Sequence, residues 1–298
     1  MSWAYHYDQR WSLALSSCFI GLVFSFAIVF AITHPEPKKS SSLTSVFFLG
    51  RLPNPRYTFA GRLVDVKMCL YLVGAILLEL NVLSFAAAHY LSHQSDPNPG
   101  IFVYAALFSF FVSEYLFFED VHLYTYDFFA ENVGFKLGWG CLCFYPHFYC
   151  IGIWDTARRP NPHNSTWLYI AAATTFFIGW ILARGANMQK FYYKRDLDQQ
   201  WFTFKTVSSS DGKHKLLCGG FWGLARHVNY LGEILMATGL TLSLGCPGAA
   251  IPWLYPLYYV TFLASRQYDD DVRCAKKYGS LWEEYCKIVP YRIVPFIY

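Results

Sequence analysis

The stretch LALSSCFIGLVFSFAIVFAI, residues 13–32, holds no charged side chain over twenty positions. A helix needs roughly 20 predominantly apolar residues to cross the hydrocarbon core of a bilayer. Similar runs recur outward from it, at residues 68–90, 101–118, 133–153, 167–183, 228–244 and 251–264. The whole chain of 298 residues is 55% hydrophobic and 20% aromatic but only 15% charged, against about 25% charged in an ordinary soluble domain. That balance excludes disorder and a collagen-like rod and argues against a water-soluble globule. It predicts a single membrane-embedded unit with about seven transmembrane helices. The first run is longer than a signal-peptide core and lacks a small-residue cleavage site, so it reads as a retained helix. The fourth, sixth and seventh runs are interrupted by Pro or Gly, which membrane helices tolerate when buried in protein or lining a cavity.

Loop charge sets the expected orientation. Lys38, Lys39, Arg51, Arg56, Arg62 and Lys67 fall between the first two runs, and Arg184, Lys190, Lys194, Arg195, Lys205, Lys213, Lys215 and Arg226 between the fifth and sixth. The tail adds Arg266, Arg273, Lys276, Lys277, Lys287 and Arg292, while the alternate connections carry only Arg158 and Arg159. The basic loops are therefore placed in the cytosol, with the N-terminus on the lumenal side. A sequon at Asn164-Ser165-Thr166 abuts the fifth run and is expected to escape glycosylation. The net charge of +4 is small and scattered, so no nucleic-acid partner is expected. The nine cysteines read as buried free thiols rather than a disulfide framework. Cys141, Cys143, His147 and Cys150 cluster within an apolar run, but their spacing matches no standard zinc pattern, and no metal is expected.

The cytosolic segments carry the chemistry. Lys194 follows Lys190 by one helical turn, a pair able to grip a phosphate where a helix leaves the membrane. Glycines at Gly219 and Gly220 permit close backbone approach, Arg226 can hold a phosphate bidentately, and Asn229 can read an amide. The tail places Asp269, Asp270 and Asp271 directly after a run, which is costly unless they face water, cations or ligand hydroxyls. Carboxylates for ribose, lysines for phosphate and aromatics for a base together suit a dinucleotide. Neither GxGxxG nor GxxxxGK[ST] occurs, so any such site is built from helix ends and loops rather than from a Rossmann domain or a P-loop.

These pieces resemble the membrane sterol reductase family, which includes the delta-14 and delta-7 sterol reductases and the C-terminal domain of the lamin B receptor. The resemblance is carried by residues 47–56, by Asp65-Val-Lys67, by residues 184–190, by Leu216-Leu217 with residues 220–230, and by residues 274–298. It covers residues from about 46 to 298, with the cofactor half from about 184. It implies an all-α, polytopic integral protein of the endoplasmic reticulum membrane with a cytosolic-side pocket. It also implies NADPH as hydride donor and a sterol double bond as acceptor. By motif position, the cofactor contacts fall on Lys190, Lys194, Leu217, Trp222, Asn229, Tyr230, Asp270, Cys274, Ala275, Lys276, Lys277, Tyr278 and Tyr285. Arg184, Asn187, Arg226 and His227 sit in the same motifs. Each has a plainer reading: Trp222 and Tyr285 as interface anchors, Cys274 as a packed thiol.

An unpolarised alkene accepts hydride only after a proton has been added to it. The protein must therefore supply an acid and keep water from the resulting cation. Candidate acids are Glu119, Asp127, Tyr230, Glu233 and Asp270, with Glu119 and Tyr230 preferred; the plainer reading of Glu119 and Asp127 is that they flank a helix end at the surface. Gly140-Cys141, Ser265 and Asp269 depart from the family's Gly-Asp, His and Arg, which removes one acid and one cation. About seven spans stand where relatives have about ten. Gly50-Arg51, residues 184–187 and Lys205-Thr206 favour delta-14 reduction, whereas Trp139-Gly-Cys141 and the acidic run lean to delta-7. The rival readings are a sterol-binding or scaffolding membrane protein without catalysis, and a membrane methyltransferase, since the Arg226-His227-x-Asn229-Tyr230 pattern also occurs there.

Overall fold

The computed structural model describes residues 3–31, 42–51, 56–59, 61–126, 128, 131–196 and 204–298. Asp127, Lys38, Lys39 and Pro53-Asn-Pro55 lie outside them. The described chain is mainly helical and divides into two compact units, residues 1–164 with 244–252, and residues 165–243 with 253–298. Among the described residues, four helices are long and apolar enough to cross a membrane: Arg10–Ala31, Val66–Ser92, Pro99–Phe117 and Thr166–Lys194.

The first unit opens with a short helix α1 (Tyr5–Asp8) and then α2 (Arg10–Phe26), whose last turn widens to a π-helix at Ala27–Ala31. After α3 (Leu43–Leu49), a small antiparallel hairpin of β1 (Arg56–Phe59) and β2 (Arg62–Asp65) leads into α4 (Val66–Ser92). The side chain of Asp65 caps α4 by accepting from the N–H of Met68 at 3.1 Å, which satisfies one orphan donor of the first turn. Pro99 begins α5 (Pro99–Phe117), and Glu119 begins the four-residue α6 (Glu119–His122).

The run at residues 133–153 does not form one uninterrupted α-helix. It comprises α7 (Phe135–Trp139), a π-helical turn (Gly140–Phe144), α8 (Tyr145–Phe148) and, after Tyr149 and Cys150, α9 (Ile151–Thr156). Pro146 has no N–H to donate. Gly74 lets α4 meet this chain closely, since a Cβ there would lie 2.5 Å from the Cys141 carbonyl oxygen. Cys141 joins the apolar cluster of Ile28, Val29, Val46, Leu70, Val133 and Leu137. Cys143 points at the Ala14 carbonyl and Cys150 at that of Pro146, so the cysteine cluster does not converge on one point. None of the nine cysteines, all among the described residues, is in a disulfide. Asn164 of the sequon donates its amide to the Gly245 carbonyl at 2.5 Å.

The second unit is framed by α10 (Thr166–Lys194), whose 29 residues make a helix about 44 Å long. That exceeds the roughly 30 Å of a hydrocarbon core, so its polar C-terminal end extends beyond one. It packs antiparallel along α12 (Val228–Ser243). Small residues permit the approach: a Cβ on Gly232 would meet the Ala183 nitrogen at 2.5 Å, and one on Gly239 would meet the Ala172 carbonyl oxygen at 2.7 Å. Membrane helices associate through such small-residue contacts because apolar burial gives them no preference for one another over lipid. At 16 residues, α12 reaches only about 24 Å. The run at 251–264 opens α13 (Leu254–Tyr278), an apolar first half followed by a polar second half. A second hairpin, β3 (Thr206–Ser208) with β4 (Lys215–Leu217), and the short α11 (Phe221–Leu224) precede α12, and α14 (Ser280–Ile288) follows α13. The all-α expectation thus holds apart from two small hairpins.

Candidate functional site

The chemistry-bearing residues of the second unit gather around the polar end of α10. Helical spacing of 100° per residue sets Asn187, Lys190 and Lys194 on one face. The adjoining face, with Ala186, packs into an apolar cluster with Ala225 and Val228, bordered by Phe221 and Trp222. Gln189 is fully buried there and works in two directions. Its Nε2 donates to the Gly219 carbonyl at 3.0 Å, and its Oε1 accepts from the N–H of Phe221 at 3.1 Å. That grip requires Gly220, which has φ +62° and whose Cβ would sit 2.5 Å from the Gln189 nitrogen. Trp222 is then fixed by donating its indole N–H to the Ala186 carbonyl at 2.8 Å.

Lys190 lies with its Nζ 5.7 Å from the Trp222 ring centroid and within electrostatic range of Asp270, Lys194, Arg273 and Cys274. Asp270 also accepts from Arg273, one turn further along α13. Asn229, at the start of α12, donates from Nδ2 to Asn187 Oδ1 at 3.4 Å, while its own Oδ1 is buried with no hydrogen-bond partner among the described residues. A buried amide oxygen left unsatisfied costs roughly 1–3 kcal/mol, and it is an acceptor available to a ligand's N–H or O–H. Burial raises the Cys274 thiol to about 12, and Asp270 and Asp271 add to the rise against the counter-pull of Arg273 and Lys190. Cys274 is therefore a neutral packed thiol.

The cofactor residues named from sequence are not all brought together. Lys190, Lys194, Trp222, Asn229, Asp270 and Cys274 are drawn around the end of α10. Within residues 274–278 the helix separates the run: Cys274 and Tyr278 are partly buried, whereas Ala275, Lys276 and Lys277 are exposed. Leu217 is buried at the end of β4. Tyr285 belongs to a second apolar cluster with Val207, Cys218, Leu281 and Val289, where burial pushes its phenol above its ordinary value. Tyr278 borders that cluster and meets His214 edge-on at 5.4 Å.

Tyr230, nearly buried, stacks on His227 with centroids 4.9 Å apart and planes 18° from parallel. Behind it stands a charge centre organised on Asp271. Gln267 Nε2 donates to its Oδ2 at 2.7 Å, and Arg292 Nε and a terminal nitrogen of Arg226 approach the same oxygen at 3.4 and 3.6 Å. The backbone N–H groups of Arg226 and His227 donate to the carbonyls of Tyr291 and Arg292 at 2.9 and 2.7 Å, pairing the tail with this segment. Arg226 also donates to the Val289 and Pro290 carbonyls. Burial pulls the Asp271 carboxyl up, but the nearby His227 imidazole and the Arg226 and Arg292 charges outweigh it. Its pKa is held below the ordinary carboxylate range.

Glu119, in the first unit, is exposed in the first turn of α6, where an acid complements the helix N-terminus. The first unit also holds an acid the sequence reading passed over. Glu79, midway along α4, accepts from Ser109 Oγ of α5 at 2.5 Å, and its Oε2 is buried with no hydrogen-bond partner among the described residues. Intramembrane carboxyls are costly and are functional candidates by default; a lone Glu within an apolar run was the available signal. Gln189 and Gln267 were likewise unmarked, and Arg292 was read only as a tail cation, because their roles depend on which loop lies opposite.

Three similar proteins are delta(14)-sterol reductases. Delta(14)-sterol reductase of Arabidopsis thaliana is 31% identical over 271 residues, covering 88% of this chain and 68% of the relative. Delta(14)-sterol reductase TM7SF2 of Mus musculus is 31% identical over 253 residues, covering 85% of this chain and 59% of the relative. Delta(14)-sterol reductase of Methylotuvimicrobium alcaliphilum is 34% identical over 255 residues, covering 85% of this chain and 58% of the relative. The chain thus spans between 58% and 68% of the length of these relatives. A family model matches residues 1–298 in full, and the chain belongs to the ergosterol biosynthesis ERG4/ERG24 family.

Proposed function

We propose that this chain reduces a ring double bond of a sterol, with NADPH as the hydride source and the delta-14 bond preferred over delta-7, in the endoplasmic reticulum membrane. The observation that carries the reading is the set of groups around the end of α10. A cation, Lys190, lies over the Trp222 ring and near the Asp270 carboxylate, beside an Asn229 oxygen buried with no hydrogen-bond partner among the described residues. That donor set fits a phosphorylated dinucleotide: cations for phosphate, a carboxylate for ribose hydroxyls, an indole face for a base and an amide for a carboxamide. NADPH, when bound, supplies the hydride. Lys190 and Lys194 bind phosphate, Asp270 and Asn229 orient the polar edges, and Trp222 is locked in place through Ala186. Tyr230, shielded from water and stacked on His227, is the preferred proton donor, since its hydroxyl-bearing ring directly follows Asn229 of this set in sequence and lies in a buried position. The delta-14 preference follows the relatives, which are delta(14)-sterol reductases. Microsomes containing the protein, given NADPH and either a delta-8,14 sterol or a 5,7-diene, test the reading. Saturation of the delta-14 bond is expected, and a chain that reduces neither sterol overturns it.

A further inference from the structure

Two buried polar atoms of the second unit face each other across a gap. Among the described residues, His227 Nε2 and Asp271 Oδ1 each lack a hydrogen-bond partner, and they lie 3.7 Å apart. The other carboxylate oxygen of Asp271, Oδ2, already serves Gln267, Arg292 and Arg226. Oδ1 is thus the one acceptor left, and the imidazole is what it faces. A closure of about 0.8 Å makes an ordinary charge-assisted hydrogen bond, and contacts of this kind often tighten only when a site is loaded. The His227 ring is nearly parallel to Tyr230, so it cannot move toward Asp271 without moving the surface on which Tyr230 rests.

We propose that Asp271 is a positioning residue of the reductase site: it draws His227 into a hydrogen bond and so sets the ring against which Tyr230 presents its hydroxyl. This rests on reading Tyr230 as the proton donor. Only a carboxylate serves, because Asp271 must at once balance Arg226 and Arg292 and accept from His227; an asparagine keeps the shape but loses the charge. Asp270, one residue earlier, has a separate task beside Lys190 and Arg273. Adjacent acids on one helix thereby divide the work, Asp270 toward the ligand and Asp271 toward the machinery.

The test uses full-length protein carrying Asp271→Asn, His227→Gln, or both. Each single change is expected to lower kcat at least tenfold while the NADPH dissociation constant moves less than threefold. The double mutant is expected to lose little more than either single one, since both break the same contact. An unchanged kcat in folded Asp271→Asn, a parallel loss of NADPH affinity, or additive effects would overturn the proposal. Should His227→Gln alone yield folded protein, the same split between kcat and affinity decides from the other side of the pair. Amide hydrogen exchange over residues 226–230 separates this proposal from the reading beneath it. A wild-type enzyme with no NADPH-dependent turnover refutes the function. Faster exchange in Asp271→Asn still upholds the Asp271–His227 contact, and unchanged exchange refutes it.

Discussion

Gly220→Ala isolates the grip that Gln189 exerts on the loop before α11. Gly220 adopts φ +62°, and a Cβ there would meet the Gln189 amide nitrogen at 2.5 Å. This positive-φ backbone, with ψ −135°, alone costs an L-residue roughly 1–3 kcal/mol. Pushing Gln189 away also breaks its bonds to the Gly219 carbonyl and the Phe221 N–H, each contributing about 0.5–1.5 kcal/mol. The sum is about 3 kcal/mol, or roughly a hundredfold in the local opening equilibrium. Gly212→Ala is the control. Gly212 shares the positive φ, +68°, but sits in open space at a hairpin turn, so only the backbone cost of about 1–2 kcal/mol applies. Hydrogen exchange over residues 219–224, with tryptophan fluorescence reporting on Trp222, measures the difference. Opening is expected to rise about a hundredfold in Gly220→Ala, with no change at residues 219–224 in Gly212→Ala. Equal and small effects of both substitutions would show that Gln189 does not hold this loop.

Three further outcomes are expected. Lys190→Ala with Lys194→Ala weakens NADPH binding at least tenfold, as measured by titration at fixed ionic strength; unchanged affinity would reduce both to topology signals. Tyr230→Phe, which keeps the ring stacked on His227 and removes only the hydroxyl, lowers kcat at least a hundredfold, whereas Glu119→Gln stays within about threefold because Glu119 is exposed. The reverse ranking would move the proton donor to the first unit. Asp271 titrates below the ordinary carboxylate range, so the native state binds its proton less tightly than the unfolded chain does. Its stabilising contribution is complete above about pH 4 and disappears as pH falls through its lower native value. Acid-unfolding curves of Asp271→Asn are expected to lack this component, and an unaltered acid limb would contradict the assignment.

The long apolar runs were legible because hydropathy over twenty residues is insensitive to what packs against the helix. Residues 68–90 and 101–118 of that reading correspond to Val66–Ser92 and Pro99–Phe117. Residues 133–153 were marked as interrupted, but not that the break is a π-turn at Gly140–Phe144, which depends on local hydrogen-bond choice. The hairpins escaped notice because strands such as Thr206–Ser208 and Lys215–Leu217 are only 3 residues each, too short to show alternation. At the site, residue type was legible and direction was not. Asp269, Asp270 and Asp271 look alike in sequence, yet 100° per residue sends Asp269 to solvent, Asp270 beside Lys190 and Asp271 toward Arg226. The same rotation divides Cys274 and Tyr278 from the exposed Ala275, Lys276 and Lys277.

The most direct measurement follows the two hydrogens added to the sterol. Microsomes containing the protein receive a delta-8,14 sterol with NADPH doubly deuterated at the nicotinamide C4, and in a parallel reaction unlabelled NADPH in heavy water. The account predicts one deuterium from the nicotinamide on one carbon of the former double bond, and one from the solvent-exchangeable donor on its neighbour. Product carrying no nicotinamide deuterium, or both new hydrogens from water, would contradict it.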